Sequence, residues 1–435
     1  MNAPTVPLSP SRRPIAVDLF AGVGGFSLGM EQAGFDVVVA IEKDPIHAAA
    51  YHYNFPQTRV LCADITTVSG ADILSLMGQQ VPQLQQIDLV FGGPPCQGFS
   101  IIGPRNPKDA RNQLIFEFCR LVKELQPRYF VLENVPGLKQ QKNQYLLRRL
   151  KRELRGAGYQ ITERVRILNA VDFGVPQTRK RLFLLGCQEG AAKFCYPPVQ
   201  KNPPTVRDAL QDLPNLDDFP HLYQSDELWL SSRELRALED AISPYGGRLR
   251  GRGDRGNLAY PRRWDPHCLT GFRRTQHQES TIERFRQTPS GQREGISRLR
   301  KLGWEEYCCT LRAGTSSERG RHTSARPLHP EYERVISVRE AARLHSFPDW
   351  FSFHVTKWHG FRQVGNSVPP LLGRAIGQQA IAALQVTPFS PSIVLELGDR
   401  QLLQFTPSQA EQYFLRVLET SPSPYGRGNL TQQHL

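Results

Sequence analysis

Ile15-Ala-Val-Asp-Leu-Phe-Ala-Gly-Val-Gly-Gly25 joins a short apolar run to a glycine turn. The run has the length of a buried strand. Phe26, Met30 and Ala33 then recur at helical spacing up to Gly34, a natural stop. Strand, glycine turn and helix in that order open a βαβ unit, and the pattern repeats. Val37–Ile41 reads as a second strand ending at Glu42, Val60–Ala63 as a third ending at Asp64, and Ile87–Phe91 as a fourth running into Gly92-Gly-Pro-Pro-Cys96. Tyr129–Leu132 is a fifth, followed by Glu133-Asn134. Short β-branched strands alternating with helices predict an α/β fold with a mostly parallel, doubly wound sheet. Polar and reactive residues collect just past the strand ends, where such sheets bind ligands.

The 435 residues are 39% hydrophobic and 22% charged, ordinary globular usage. No window approaches eighteen consecutive apolar residues, and Met1–Pro14 lacks the apolar core of a secretory signal, so a cytoplasmic protein is expected. Eight cysteines without Cys-x-x-Cys spacing predict free thiols and no metal site. The net charge is +13, and residues 231–330 hold 20 Lys+Arg against 11 Asp+Glu, so most of the surplus lies there. All but one of those cations are arginine, whose planar fork suits phosphate and guanine edges. A polyanionic partner is expected.

Gly22, Gly24 and Gly25 make only a partial dinucleotide fingerprint, because Ser27 stands where a third glycine is wanted. No Gly-Lys-Ser/Thr follows, so the turn suits a nucleoside whose tail need not be an anion. Glu42 is placed to accept from ribose hydroxyls and Asp64 from an adenine amino group, with Ile65 against the ring. Each acid alone is equally a helix cap; at successive strand ends beside a glycine turn they favour an adenosyl ligand. Cys96 emerges at a strand end behind two glycines and two prolines, unlike Cys62 and Cys119, which sit in apolar patterns. A thiolate nucleophile needs a nearby cation, and Arg179 and Arg181 are candidates.

These segments closely resemble the DNA (cytosine-5) methyltransferases over about Ile15–Leu185 and Arg334–Leu384. Asp18–Phe26, Glu42, Asp64, Gly93-Pro-Pro-Cys-Gln-Gly-Phe-Ser100, Glu133-Asn-Val135 and Gln177-Thr-Arg-Lys-Arg181 follow the family's order. Arg339–Leu344, Phe347-Pro-Asp349 and Gln363-Val-Gly-Asn-Ser-Val-Pro-Pro370 complete it. The resemblance implies a Rossmann-like S-adenosylmethionine-dependent fold in which Cys96 adds to C6 of a cytosine flipped from duplex DNA. Glu133 then serves N3, Arg179 holds the base's carbonyl and supports the thiolate, and Arg181 is a second cation. The methyl group passes from S-adenosylmethionine to C5, with no metal. The cofactor site would comprise Phe20, Ala21, Gly22, Gly24, Gly25, Glu42, Asp64, Ile65, Pro94, Asn366 and Ser367.

The implied organisation is a catalytic domain over 13–186, a target-recognition domain over 187–330 that is small and mostly irregular or β, and motifs over 331–385 returning to the catalytic domain. A partly disordered extension over 386–435, with a possible strand at Ile393–Leu397, would follow. Ile101 or Ile102 would fill the vacated base stack. The compact prokaryotic type is expected: a monomer, bacterial and nucleoid-associated, either solitary or paired with a restriction endonuclease acting on the same site. The alternatives are cytosine-5 methylation of transfer RNA and a catalytically retired DNA-bound regulator.

Overall fold

A computed structural model describes residues 11–80, 86–95, 113–162, 164–314 and 326–420. The first half alternates as the apolar runs predict. Strand β1 (Ile15–Leu19) leads to α1 (Gly25–Ala33), β2 (Asp36–Glu42) to α2 (Pro45–Asn54), and β3 (Arg59–Cys62) to α3 (Gly70–Gln80). Strand β4 (Leu89–Gly92), α4 (Leu114–Leu125), β5 (Tyr129–Asn134) and α5 (Gln144–Gly156) follow. Three strands then come in close succession: β6 (Tyr159–Ile161), β7 (Arg166–Asn169) and β8 (Lys180–Gln188).

The main sheet runs β3-β2-β1-β4-β5-β8-β6, with β7 also on β8. Pairs among β1 to β5 are parallel, whereas β8 is antiparallel to β5, β6 and β7. Strand order reverses between β1 and β4, and sheets of this kind bind ligands past the C-terminal ends of the strands at such a point. Alternate residues of β1 serve opposite layers. Ala16 packs with the core that includes α1 and α2, and Val17 and Leu19 with the core of α3, α4 and α5.

Beyond β8 the elements are short: α6 (Val206–Leu210), β9 (Glu227–Trp229), α7 (Ser232–Asp240), α8 (Pro244–Leu249), β10 (Cys268–Thr270) and α9 (Glu279–Gln287). Strands β9 and β10 form an antiparallel pair over a small core of Leu216, Leu222, Leu228, Leu230, Leu269 and Phe272. Helices are therefore more prominent here than an irregular or β reading allows. Val206, Leu210, Tyr245, Leu249, Leu302 and Cys308 belong to the large core, so this region is rooted in the main sheet's packing. Much of its positive charge is internally matched. Arg262 is buried against Glu31 at 2.9 Å, Arg250 against Asp212 at 3.1 Å, and Arg284, Arg300 and Arg274 pair with Glu294, Glu306 and Asp217.

The chain then returns through α10 (Val338–Arg343), α11 (Lys357–Asn366) and α12 (Pro370–Leu384). Helix α12 lies directly on α1 because the seam is made of small residues. A Cβ on Gly29 would come within 2.5 Å of Pro370 O, and one on Gly377 within 2.7 Å of the Ala33 Cβ. The segment after residue 385 differs from expectation. Ile393–Leu397 forms only one bridge, Leu395 with Arg262, rather than a strand. Helix α13 (Pro407–Thr420) packs on α2, burying Ala410 and Phe414. The last fifteen residues lie outside the described residues.

Candidate active site

The glycine turn sits at the end of β1 beside the strand-order reversal, and its backbone is bent to leave room. Gly22 and Gly24 have φ of 57° and 96°, and Phe20 holds φ 71°, a left-handed conformation that strains a residue with a side chain. A Cβ on Gly22 would meet nothing within 4 Å, whereas one on Gly24 would strike Phe55 at 2.4 Å. Gly22 thus faces open space and Gly24 faces packing. Ser27 has its own use: its hydroxyl donates to Asp18 Oδ2 at 2.5 Å and accepts from Tyr51 OH at 2.8 Å. Burial pushes the Asp18 carboxyl up to about 8, with the Ser27 bond opposing and Glu42 adding to the rise.

Glu42 closes β2 and reaches the same loop. Oε2 accepts from the Gly22 N–H at 2.7 Å and Oε1 from the Asp44 N–H at 2.8 Å. Each oxygen keeps a further lone pair. Asp64 caps a short turn through Thr66 N and meets Lys43 Nζ at 2.6 Å, while Ile65 beside it is buried. The cap reading of Asp64 therefore holds in the structure, and Oδ2 with its lysine remains at the surface. Ala21 is buried and hydrogen-bonded to Ile41 O.

Pro94 is buried, and its carbonyl accepts from Asn134 Nδ2 at 3.2 Å, so the acidic motif braces the loop after β4. Gly93 lies against Glu133, where a Cβ would come within 2.7 Å of Oε2. Cys96 lies outside the described residues, as do Ile101, Ile102 and the rest of 96–112. Antiparallel pairing of β5 and β8 sets Glu133 opposite Phe183, so Arg181 is its diagonal neighbour on the same face. Arg181 Nε meets Glu133 Oε1 at 2.9 Å. Burial raises the Glu133 carboxyl above its ordinary value, with Arg181 and then Arg179 pulling the other way.

Arg179 does something else. Its Nη1 donates to Leu311 O at 2.7 Å, and Nη2 to Gly365 O at 2.7 Å and Ser367 O at 3.0 Å. Only Nε, buried, lacks a partner among the described residues. The expectation that Arg179 holds the base and Arg181 is secondary thus meets the reverse geometry: Arg181 stands with Glu133, and Arg179 ties the returning segment to β8. Gln177 and His345 extend that tie. Gln177 Oε1 accepts from Leu311 N, its amide bonds Leu344 O and His345 Nδ1, and His345 Nε2 bonds Ser367 O. Sequence reading missed His345, which follows a recognisable motif but carries no local sign of a partner.

Asn366 and Ser367, at the end of α11, come back to the glycine turn. A Cβ on Gly25 would lie 2.8 Å from the Ser367 Cβ and 2.7 Å from Val368 O. Asn366 is exposed at this junction and Ser367 buried. These strand ends therefore gather open space at Gly22, acceptors on Glu42, and a buried acid paired with a half-buried arginine. Among the described residues no group of three His, Cys, Asp or Glu side chains could hold a metal ion, and no helix is long and apolar enough to cross a membrane.

The sequence and the fold resemble those of known proteins. A type II methyltransferase of Xanthomonas oryzae pv. oryzae, M.XorII, is 47% identical over 404 residues, 92% of each chain. The type II methyltransferase M.DdeI of Desulfomicrobium norvegicum is 30% identical over 83% of this chain and 87% of its own. Among solved structures, a DNA modification methyltransferase encoded within a prophage (E. coli) matches 85% of this chain and 99% of its own, with 34% identity and a TM-score of 0.68. The Entamoeba histolytica methyltransferase EhMeth shares the fold alone, at 15% identity and a TM-score of 0.54 over 86% of this chain and 99% of its own. The C-5 cytosine-specific DNA methylase family matches residues 16–382, nearly the whole described sheet and its returning helices. The chain belongs to that family and is a DNA (cytosine-5) methyltransferase.

Proposed function

We propose that the reaction is divided among Cys96 as nucleophile, Glu133 as the acid serving N3, and Arg181 as the cation that orients Glu133 and faces the base. The observation that carries this is the contact of 2.9 Å between the buried Glu133 at the end of β5 and Arg181 on β8, beside the loop that leads from β4 to Cys96. Cytosine C5 is a weak nucleophile. Addition of the Cys96 thiolate to C6 moves electron density onto C5, and a proton held at N3 keeps negative charge off the ring. A buried carboxyl with a raised pKa retains that proton more readily at neutral pH. Arg181 keeps the carboxyl turned toward the base and is itself shielded from water, which strengthens its field. Loss of the C5 proton and expulsion of Cys96 then restore the aromatic ring. The target atom is inaccessible in a stacked duplex, so the cytosine must leave the helix at a cost of a few kcal/mol.

S-adenosylmethionine, the family's methyl donor, supplies an activated methyl group when bound. The residues present fit it: Gly22 leaves the open space, and Glu42 offers two lone pairs to ribose hydroxyls. Phe20, Ala21, Gly24, Gly25, Asp64, Ile65, Pro94, Asn366 and Ser367 complete the enclosure. Arg179 is a positioning residue that fixes the Gly365–Ser367 edge of this enclosure.

Residues 187–330 would choose the target sequence. The names of the relatives support a type II restriction–modification setting, in which a nuclease cutting the same site is the functional counterpart. One active site per chain makes a monomer sufficient. Bisulfite sequencing of DNA from cells making the protein identifies the methylated site. A duplex carrying 5-fluorocytosine there, with S-adenosylmethionine, should give a covalent adduct that survives denaturation with the wild type and not with Cys96→Ala. An adduct formed equally by Cys96→Ala overturns the assignment of the nucleophile.

A further inference from the structure

Far from the glycine turn, at the other end of α11, an open cavity of about 440 Å³ lies between the region around β10 and the returning segment. Tyr223, Arg273, Arg274 and Gln276 form one wall, Arg326 another, and Thr356, Lys357 and Trp358 the third. Among the described residues no carboxylate lines it. Arg274 is already matched by Asp217 and lies 4.3 Å over the Tyr223 ring. Arg273 and Lys357 have no carboxylate partner among the described residues. Lys357 Nζ donates once, to Arg274 O at 2.7 Å, leaving two of its three donors.

The backbone adds to this field. Lys357 begins α11, so the helix's positive end opens on the cavity. The Thr356 hydroxyl does not cap the helix and is bonded to His354 Nδ1 at 3.0 Å. No acid stands in the first turn. Arg273 and Lys357 thus stand together with no carboxylate partner among the described residues. Burial, with Arg326 and Arg273 alongside, pushes the Lys357 ammonium down to about 8. The same crowding helps hold His277 down to about 4, after burial. Such an arrangement is stabilised by an anion entering it.

We propose that this cavity is a phosphate site that grips one backbone phosphate of the substrate duplex, with Arg273, Lys357 and the N-terminus of α11 as its donors. The proposal rests on the DNA-methyltransferase reading and extends it to a location outside the catalytic crevice. The site joins the recognition region to the helix whose far end, roughly 14 Å away at 1.5 Å per residue, carries Asn366. A phosphate held there sets the duplex's position on the catalytic crevice without reading a base.

The test compares full-length wild type, Arg273→Gln, Lys357→Gln and the double variant. Affinity is measured for the methylated-site duplex and an unrelated duplex across 50–200 mM salt. Loss of one phosphate contact should lower the slope of log K against log[salt] by about 1 and weaken both duplexes alike, roughly three- to tenfold. Cofactor affinity and thermal unfolding should not move. If Lys357→Gln fails to fold, the half-buried Arg273 reads the same slope alone. An unchanged slope overturns the proposal, and so does weakening confined to the cognate duplex, which would indicate base reading. Phosphorus NMR with inorganic phosphate separates the other source: saturable binding lost in the double variant, with an unchanged DNA slope, indicates a free-anion site. Wild-type methyl transfer to duplex DNA, measured in parallel, reports on the enzymatic reading by itself.

Discussion

Gly93→Ala is the most direct probe of how Glu133 is held. The added methyl would sit 2.7 Å from Glu133 Oε2, against an ordinary contact of at least 3.4 Å, so one of the two must move by about 0.7 Å. A long carboxylate side chain usually yields easily. This one is buried, and its other oxygen is pinned by Arg181 at 2.9 Å. Swinging away breaks that contact, and staying pushes β4 off β5. Gly93 is not in the left-handed region, so the effect is steric and not conformational. Displacements near 1 Å at a reacting group cost up to about 100-fold in rate, so turnover should fall on the order of 10- to 100-fold. The overpacking itself should destabilise the fold by about 1–3 kcal/mol. Single-turnover methyl transfer from labelled S-adenosylmethionine, cofactor titration and thermal unfolding separate the two effects. A folded Gly93→Ala enzyme that binds cofactor and turns over at the wild-type rate would refute the claim that the Glu133 carboxylate is placed by close packing.

Arg179→Lys replaces a fork that holds three carbonyls with a single ammonium, so Leu311 O, Gly365 O or Ser367 O must lose its donor. A loss of about 2–4 kcal/mol in stability is expected, with weakened cofactor binding, checked by denaturant unfolding and calorimetry. Asp18 has a folded pKa near 8 against an unfolded value of 3.8, so its contribution is fully present below about pH 4 and is lost as pH rises toward 8. Asp18→Asn should flatten that decline in unfolding free energy between pH 5 and 8; a slope unchanged from wild type counts against a buried, protonated Asp18. Two glycines make an internal control. Gly29→Ala forces a methyl to 2.5 Å from Pro370 O and should destabilise by at least ~2 kcal/mol, whereas Gly78→Ala meets nothing within 4 Å and should stabilise by roughly 0.5–1 kcal/mol. Equal melting temperatures for the pair would contradict the seam described above.

The five parallel strands and the glycine turn were legible because apolar runs and φ-permissive residues are local signals. The place of Glu42 beside the glycine turn was legible for a related reason: a strand end in a doubly wound sheet has a fixed place. Arginine roles were not. Arg179 and Arg181 stand two residues apart on similar terms, and only the return of residues 311 and 365–367 from far along the chain gives Arg179 its three acceptors. Strand β8 escaped notice because its apolar run follows the Gln-x-Arg-x-Arg element without a turn signal, and its partners lie on both sides. The arginine-rich stretch looked like a polyanion surface, yet Arg262 and Arg250 are buried on acids from other segments. Composition counts charges and does not pair them. Helix α13 did leave a sign, since Ala410, Tyr413, Phe414 and Val417 fall at helical spacing within a polar tail.

The backbone-close seam between α1 and α12 also bears on how the protein is made. Helix α1 leaves the ribosome roughly 340 residues before its partner, which at about 5–20 residues per second means a wait of about 17–70 seconds. Through that interval the nascent chain carries the strand and glycine turn without the residues that later pack on Gly25, because Ser367 and Val368 have yet to be translated. The seam between α1 and α12 therefore closes only after every strand of the main sheet has been made.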